Sequence, residues 1–146
     1  MQTPQNYKNH GRFDPPFHFF VAPILLVNVG VTIAVLVRHW PHHIALHAWI
    51  VVIALAVFVL AGVARSTALR VQDRVIRLEE QLRYQRLLTP ELLASSQSLT
   101  IRQIIALRFA SDAELPVLVQ RTLGENLQPK AIKQAITNWR ADYLRA

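Results

Sequence analysis

The chain contains no cysteine, so no disulfide, thiolate nucleophile or cysteine-bound metal can exist in it. Glycine is scarce, four residues in 146, and no glycine-rich phosphate loop is present. Asp and Glu number nine against sixteen Lys and Arg. All nine acids lie outside the two longest apolar runs. A membrane-embedded acid pair of the kind that marks a proton-coupled transporter is therefore missing. No Ser-His-Asp arrangement can be argued either. These absences leave an enzyme without visible support.

What the chain has instead is concentrated apolar sequence. Residues 19–37, "FFVAPILLVNVGVTIAVLV", carry no charge, and residues 44–64, "IALHAWIVVIALAVFVLAGVA", carry none apart from His47. Each run approaches the roughly 20 apolar residues needed to cross a ~30 Å hydrocarbon core. The expected fold is an all-α membrane protein. Residues 1–16 form an interfacial head, and 17–64 a transmembrane helical hairpin with spans of about 19–38 and 44–64. Residues 65–88 extend the second helix as a cytoplasmic stalk, and 89–146 form a small helical tail domain. A cleaved signal peptide is not expected, because Asp14 and two prolines precede the first span and no small-residue cleavage pattern follows it.

Lys and Arg counts in the short flanks set the orientation. Lys8 and Arg12 precede the first span, Arg38 alone sits in the connection, and Arg65, Arg70, Arg74 and Arg77 follow the second. Both termini are expected in the cytoplasm, with the connection on the opposite side of the membrane. The four arginines after the second span are candidate contacts for anionic lipid, each contributing roughly 1 kcal/mol near a charged leaflet. The head holds Gly11, Pro15 and Pro16, which oppose regular structure. Its neighbours Phe13, Phe17, Phe19 and Phe20 suit a membrane interface.

Helix 1 is expected over about 17–38, with Pro23 positioned to kink it. Gly30 and Ala34, four apart, share a face on which another backbone could approach closely. Asn28 is polar at membrane depth and is expected to bond a neighbouring helix. Pro41 suits the first position of helix 2, which makes the connection at His39 and Trp40 tight and the helices antiparallel. Without a stop before "LLTPELL", helix 2 would run to about residue 88, roughly 70 Å at 1.5 Å per residue.

The run "RHWPHHIALH" offers His39, His42, His43 and His47 as weak metal candidates. His43 and His47 are four apart, as helical metal ligands are. No Asp, Glu or Cys lies near them, so the expectation is a polar, aromatic interface belt with Trp40 and Trp49 and no bound metal or other cofactor.

A heptad pattern runs along helix 2. Ile50, Ala54, Val57, Ala61, Ala64, Ala68, Val71, Val75, Leu78 and Leu82 alternate steps of four and three. Between Ala68 and Leu82 the intervening positions are charged, so there the pattern carries information. Asp73 with Arg77 and Glu79 with Arg83 are acid-first i,i+4 pairs. Arg77 and Glu80 read as an outer, solvated face. Small residues at Ala61, Ala64 and Ala68 would let a partner helix come close. The seam could pack on the chain's own tail or on a second copy.

The tail reads as short helices. Thr89 caps one. Ile101, Ile104, Ile105 and Phe109 point toward a core. Ser111 and Glu114 suggest a capping box with a stop at Gly124. From Pro129, residues Ile132, Ala135, Ile136, Trp139 and Tyr143 share a face. Roughly 60 residues make a marginal isolated core, so the tail should lean on the stalk, the membrane or a partner. It carries no nucleic-acid recognition signature, and none is expected as a partner.

The head "QNYKNHGRFDPPFHFF", the stalk "RLEEQLRYQRLL" and the tail "QIIALRFASDAELPVLVQ" together resemble a family of short bacterial inner-membrane proteins of unknown function. The resemblance is most specific at Asn6, Lys8, Asn9, His10 and "ALRFASD". It implies two spans and a cytoplasmic helical tail, and it supplies no activity. The function expected is that of a non-enzymatic structural or accessory subunit. It would work through helix–helix contacts with another membrane protein or a second copy within the lipid bilayer. A small homo-oligomeric pore, or a metal-dependent or lipid-modifying enzyme using the loop histidines, are the alternatives.

Overall fold

A computed structural model of the chain describes Asn6, Tyr7 and residues 14–142. Lys8, Asn9, His10, Gly11, Arg12, Phe13 and Tyr143, which figure in the expectations above, lie outside the described residues. Those described are helical: a π-helical stretch Pro16–Val21, α1 (Ala22–Arg38), α2 (Ile44–Leu87), α3 (Pro90–Ser96), α4 (Ile101–Leu107), α5 (Leu115–Glu125) and α6 (Pro129–Ala135). They divide into two compact units, residues 14–69 and residues 70–142 with Asn6 and Tyr7.

The first unit is a helical hairpin. Pro23 has no N–H to give the carbonyl four residues earlier, and its ring crowds that carbonyl. The chain responds with a widened turn just upstream, where the Ala22 N–H reaches Phe17 O, five residues back. Residues 39–43 form the turn. Pro41 lies inside it and does not open α2, because His43 follows with φ 52°, a left-handed conformation incompatible with a helix start. At the turn the His39 and His47 rings stack with centroids 5.2 Å apart. At the other end Arg65 Nη1 lies 3.3 Å from Asp14 Oδ2, and its guanidinium is 5.8 Å from the Phe17 ring centre. These two links fix the antiparallel pairing. Leu25, Val29, Thr32 and Leu36 are the less exposed face of α1. On α2, Ala54 is buried.

The second unit has an apolar interior. Tyr84 and Leu88 share one buried cluster with Leu107, Phe109, Leu115, Val119 and Ile132. The last turns of α2 thus supply a wall that the short helices need. Thr89 caps α3, its hydroxyl accepting from Leu92 N–H at 3.4 Å. Thr100 and Gln103 form a capping box on α4, and the Gln103 amide also donates to Leu127 O at 3.1 Å.

The expected capping box at Ser111 and Glu114 does not form. Helix α5 starts after Glu114, whose carboxylate instead accepts from Thr137 Oγ1 and from the backbone N–H groups of Thr137 and Asn138. That capture ends α6 early. Ile136 is extended, with φ −73° and ψ 124°, and residues 138–140 pair with the 109–111 strand-like segment. Arg140 N–H donates to Phe109 O at 2.8 Å and Ser111 N–H to Asn138 O at 3.1 Å. Trp139 therefore reaches the core by a β-bridge to Ala110 rather than along a helix face. Helix α5 also passes Gly124 and stops at Asn126, which takes the left-handed cap at φ 47°.

Candidate functional site

The most organised group of polar side chains lies where α2 meets the segment after α4. Arg83 is 2% exposed. Its Nε donates to Asp112 Oδ1 at 2.8 Å, and its Nη2 to Ala110 O at 2.7 Å. Its Nη1 donates to Glu80 Oε2 at 3.2 Å and to Arg108 O at 3.4 Å. One guanidinium thus satisfies two acids and two carbonyls, a use of its planar fork that an ammonium could not reproduce. Glu80, 4% exposed, also faces Arg140 Nη1 at 3.6 Å. Arg108 pairs with Asp142 at 3.3 Å and lies 4.6 Å over the Phe109 ring. These residues border an open cleft of about 940 Å³, with Ile76, Arg86 and Ala141 on its rim.

The electrostatics follow from burial. Loss of water raises the Glu80 carboxyl above the usual glutamate value, and Arg83, Arg140 and Arg108 oppose the rise without cancelling it. Burial likewise raises Tyr84, with the nearby Glu80 adding to the effect and Arg83 opposing it. The Tyr84 hydroxyl is enclosed without a hydrogen-bond partner among the described residues. The cluster is built as a clamp between α2 and the 108–112 segment. Its one buried acid is committed to guanidinium groups, and the neighbouring tyrosine is held protonated.

Neither of the two acid-first pairs read from the sequence is made among the described residues. Arg83 bonds Glu80 and Asp112 rather than Glu79, and no Asp73–Arg77 pair forms among the described residues. Glu80 was expected on a solvated face and is buried. It belongs to a second stripe, Ile76, Glu80, Arg83, Tyr84 and Leu88, all under 10% exposed. A hydrophobic-periodicity reading passes over this stripe because two of its members are charged. A visible signal was the acid–arginine spacing of three at Glu80 and Arg83 on the side opposite the apolar seam.

The seam itself lies on that opposite side. Val71, Val75, Leu78 and Leu82 are 56, 47, 61 and 63% exposed. They do not cover the chain's own tail, which docks on the other face of α2. Ala64 and Ala68 are exposed and Ala61 half-buried. Gly30 and Ala34 are exposed as well, and a Cβ placed on Gly30 would meet nothing within 4 Å.

His42 and His43 are exposed in the turn, while His39 and His47 stack without a third ligand. Among the described residues no three of His, Asp and Glu stand together as metal ligands. Arg70, Arg74 and Arg77 are exposed along α2, whereas Arg65 is drawn onto Asp14. Asn28 is exposed in the middle of α1, and its amide has no partner among the described residues. The Thr32 hydroxyl is spent on Val29 O at 2.9 Å.

No curated protein and no solved structure matches the chain. A family of unknown function, DUF6526, matches it over residues 1–146. The two long apolar helices, the recessed charge clamp and the outward seam are thus features of a protein that belongs to DUF6526.

Proposed function

We propose that this chain is a non-enzymatic integral membrane protein of the bacterial inner membrane, an accessory subunit that acts through helix–helix contacts. One observation carries the reading. Pro16–Arg38 and Ile44–Leu87 are long and apolar enough to cross a membrane, and their most apolar windows are 0% and 6% buried. Phe20, Leu26, Val27, Val52, Val59 and Leu60 are all more than half exposed. A water-soluble fold does not leave so large an apolar surface uncovered. The polar links bounding it, His39–His47 and Asp14–Arg65, are about 27 Å apart along α2. That is close to the thickness of a hydrocarbon core. Asn28 supports the second half of the reading, because an outward amide at that depth is satisfied by another helix.

The arginine distribution orients the hairpin with both termini in the cytoplasm. Two experiments test the proposal. In membrane fractions the full chain should stay with the bilayer through alkaline extraction. Reporter fusions at Met1 and Ala146 should both give the cytoplasmic signal. Release at alkaline pH would overturn the integral assignment, and a periplasmic signal at either end would overturn the topology.

A further inference from the structure

The exposed seam on α2 has a heptad register, and that register names its occupant. Setting Val75 and Leu82 at a and Val71 and Leu78 at d puts Arg74 and Gln81 at g, and Glu79 and Arg86 at e. The buried stripe that meets the tail, Ile76, Glu80, Arg83 and Tyr84, then falls at b, f, b and c, directly opposite a and d. Helix α2 is apolar or buried on two sides. The chain's own tail takes one, and nothing in the described chain takes the other.

In a parallel pair of helices, a g residue meets the e residue of the partner five positions on. Arg74 then faces Glu79 of a second copy, and symmetry makes the pair twice. Neither residue has an ion-pair partner within the described chain. The next such pair, Gln81 with Arg86, brings no like charges together. An antiparallel arrangement would pair g with g and e with e. In the registers that keep Val71 to Leu82 paired, Arg74 would then meet Gln81 or another Arg74, and Glu79 would meet Gln72 or another Glu79, with no attraction in either case.

We infer that residues 71–82 of α2 form a parallel, in-register dimer seam with a second copy of this chain, closed at its edges by Arg74 and Glu79 across the interface. The inference deepens the membrane reading and rests on it for orientation: copies inserted alike present α2 in parallel. Two heptads are short for a coiled coil in solution. Confinement to one bilayer supplies the effective concentration that a short seam needs.

The absence of native cysteine makes the test direct. Single substitutions Val75→Cys and Leu78→Cys, with Arg77→Cys as an exposed control off the seam, are expressed in the full chain, and isolated membranes are oxidised with copper phenanthroline. A disulfide needs Cα atoms within about 7 Å, so the seam variants should give on the order of tenfold more covalent homodimer than the control. Co-expressed Val71→Cys and Leu82→Cys chains should not cross-link to each other. With the Val75→Cys reporter, Glu79→Arg should lower dimer yield about threefold, and adding Arg74→Glu should restore it.

Leu78→Asp should abolish the dimer while protease resistance at Thr89 stays that of wild type, because the tail docks on the other face. If that variant misfolds, Leu78→Ser serves the same comparison. Dimer yields no higher at the seam than at Arg77 overturn the inference while the membrane reading stands. So does a 71–82 cross-link, or a seam cross-link to a different protein. Recovery in the soluble fraction overturns the membrane reading. Seam-specific homodimers obtained there would still uphold the second copy as occupant.

Discussion

Leu60 in the hairpin and Val117 in the tail are exposed to nearly the same degree, 65% and 69%, in opposite surroundings. Leu60 is one of many. Val59 and Val63 beside it are more than half exposed too. Val117 stands among exposed Ala113, Gln120 and Arg121, while Leu115, Leu118 and Val119 of the same helix are buried. Apart from the exposed seam on α2, the tail unit keeps most of its apolar groups inside, and it buries charge only when it is paired. The hairpin keeps polar links at its two ends and turns its apolar groups out. One chain therefore carries two opposite arrangements of its apolar surface.

The largest loss is expected at Arg83. Replacing it with Met keeps the volume and removes the fork. Glu80 is then left buried with only the more distant Arg140 and Arg108 near it, and the carbonyls of Ala110 and Arg108 lose a donor. Removing one partner of a buried ion pair costs about 3–5 kcal/mol. The tail unit should lose most of its stability, seen as a lower urea midpoint and new proteolysis between residues 108 and 115. Arg83→Lys should recover only part of it, since a single ammonium cannot reach two acids and two carbonyls at once. The hairpin should remain in the membrane fraction.

The next effect sharpens the contrast directly. Leu60→Asp and Val117→Asp make the same chemical change at equally exposed positions. A charge at the centre of a span costs about 2.5–3.5 kcal/mol of insertion free energy, and less toward the end where Leu60 lies, whereas an isolated surface substitution usually stays within about 0.5 kcal/mol. Membrane recovery should fall sharply for Leu60→Asp and stay at the wild-type level for Val117→Asp. Equal behaviour of the two would remove the distinction between the units.

The hairpin was legible in the sequence because apolar length alone reports it, and the heptad seam because charges bracket Val71 to Leu82. Two things were not. Which face of α2 the tail would take depends on Glu80 and Arg83, and a polarity pattern assigns charged residues to solvent until a partner such as Asp112, 29 residues on, is known. The end of α6 depends on Glu114 reaching Thr137 and Asn138, 23 and 24 residues away. Local signals at Ser111, Glu114 and Gly124 pointed to caps that tertiary contacts overrode. The capping box at Thr100 and Gln103 did follow the sequence rule and could have been read from it. The small residues Gly30, Ala34, Ala64 and Ala68 were read as approach points. Their exposure leaves them available to a partner rather than to the chain's own hairpin.

The smallest expected effect concerns the two titratable groups whose pKa burial raises. Both Glu80 and Tyr84 are acids whose folded pKa lies above the unfolded one. Between those two values the folded state binds more protons than the unfolded state, so stability falls as pH rises. For Glu80 the fall begins near the ordinary glutamate range, about pH 4, and continues upward. For Tyr84 it begins near pH 10. Glu80→Gln should flatten the lower slope, because the neutral amide can still accept from Arg83 but has no proton to lose. Tyr84→Phe should flatten the upper one. At neutral pH, Tyr84→Phe removes a hydroxyl that finds no partner, so stability should be unchanged or higher by up to about 1 kcal/mol. Tyr84→Ala should instead lose about 3–5 kcal/mol with the ring. Urea midpoints of the full chain in detergent, taken from pH 4 to pH 11, check all three variants. A stability maximum on the alkaline side, or a Tyr84→Phe variant as weak as Tyr84→Ala, would mean that the tail unit is not the dry, charge-paired interior contrasted here with the hairpin.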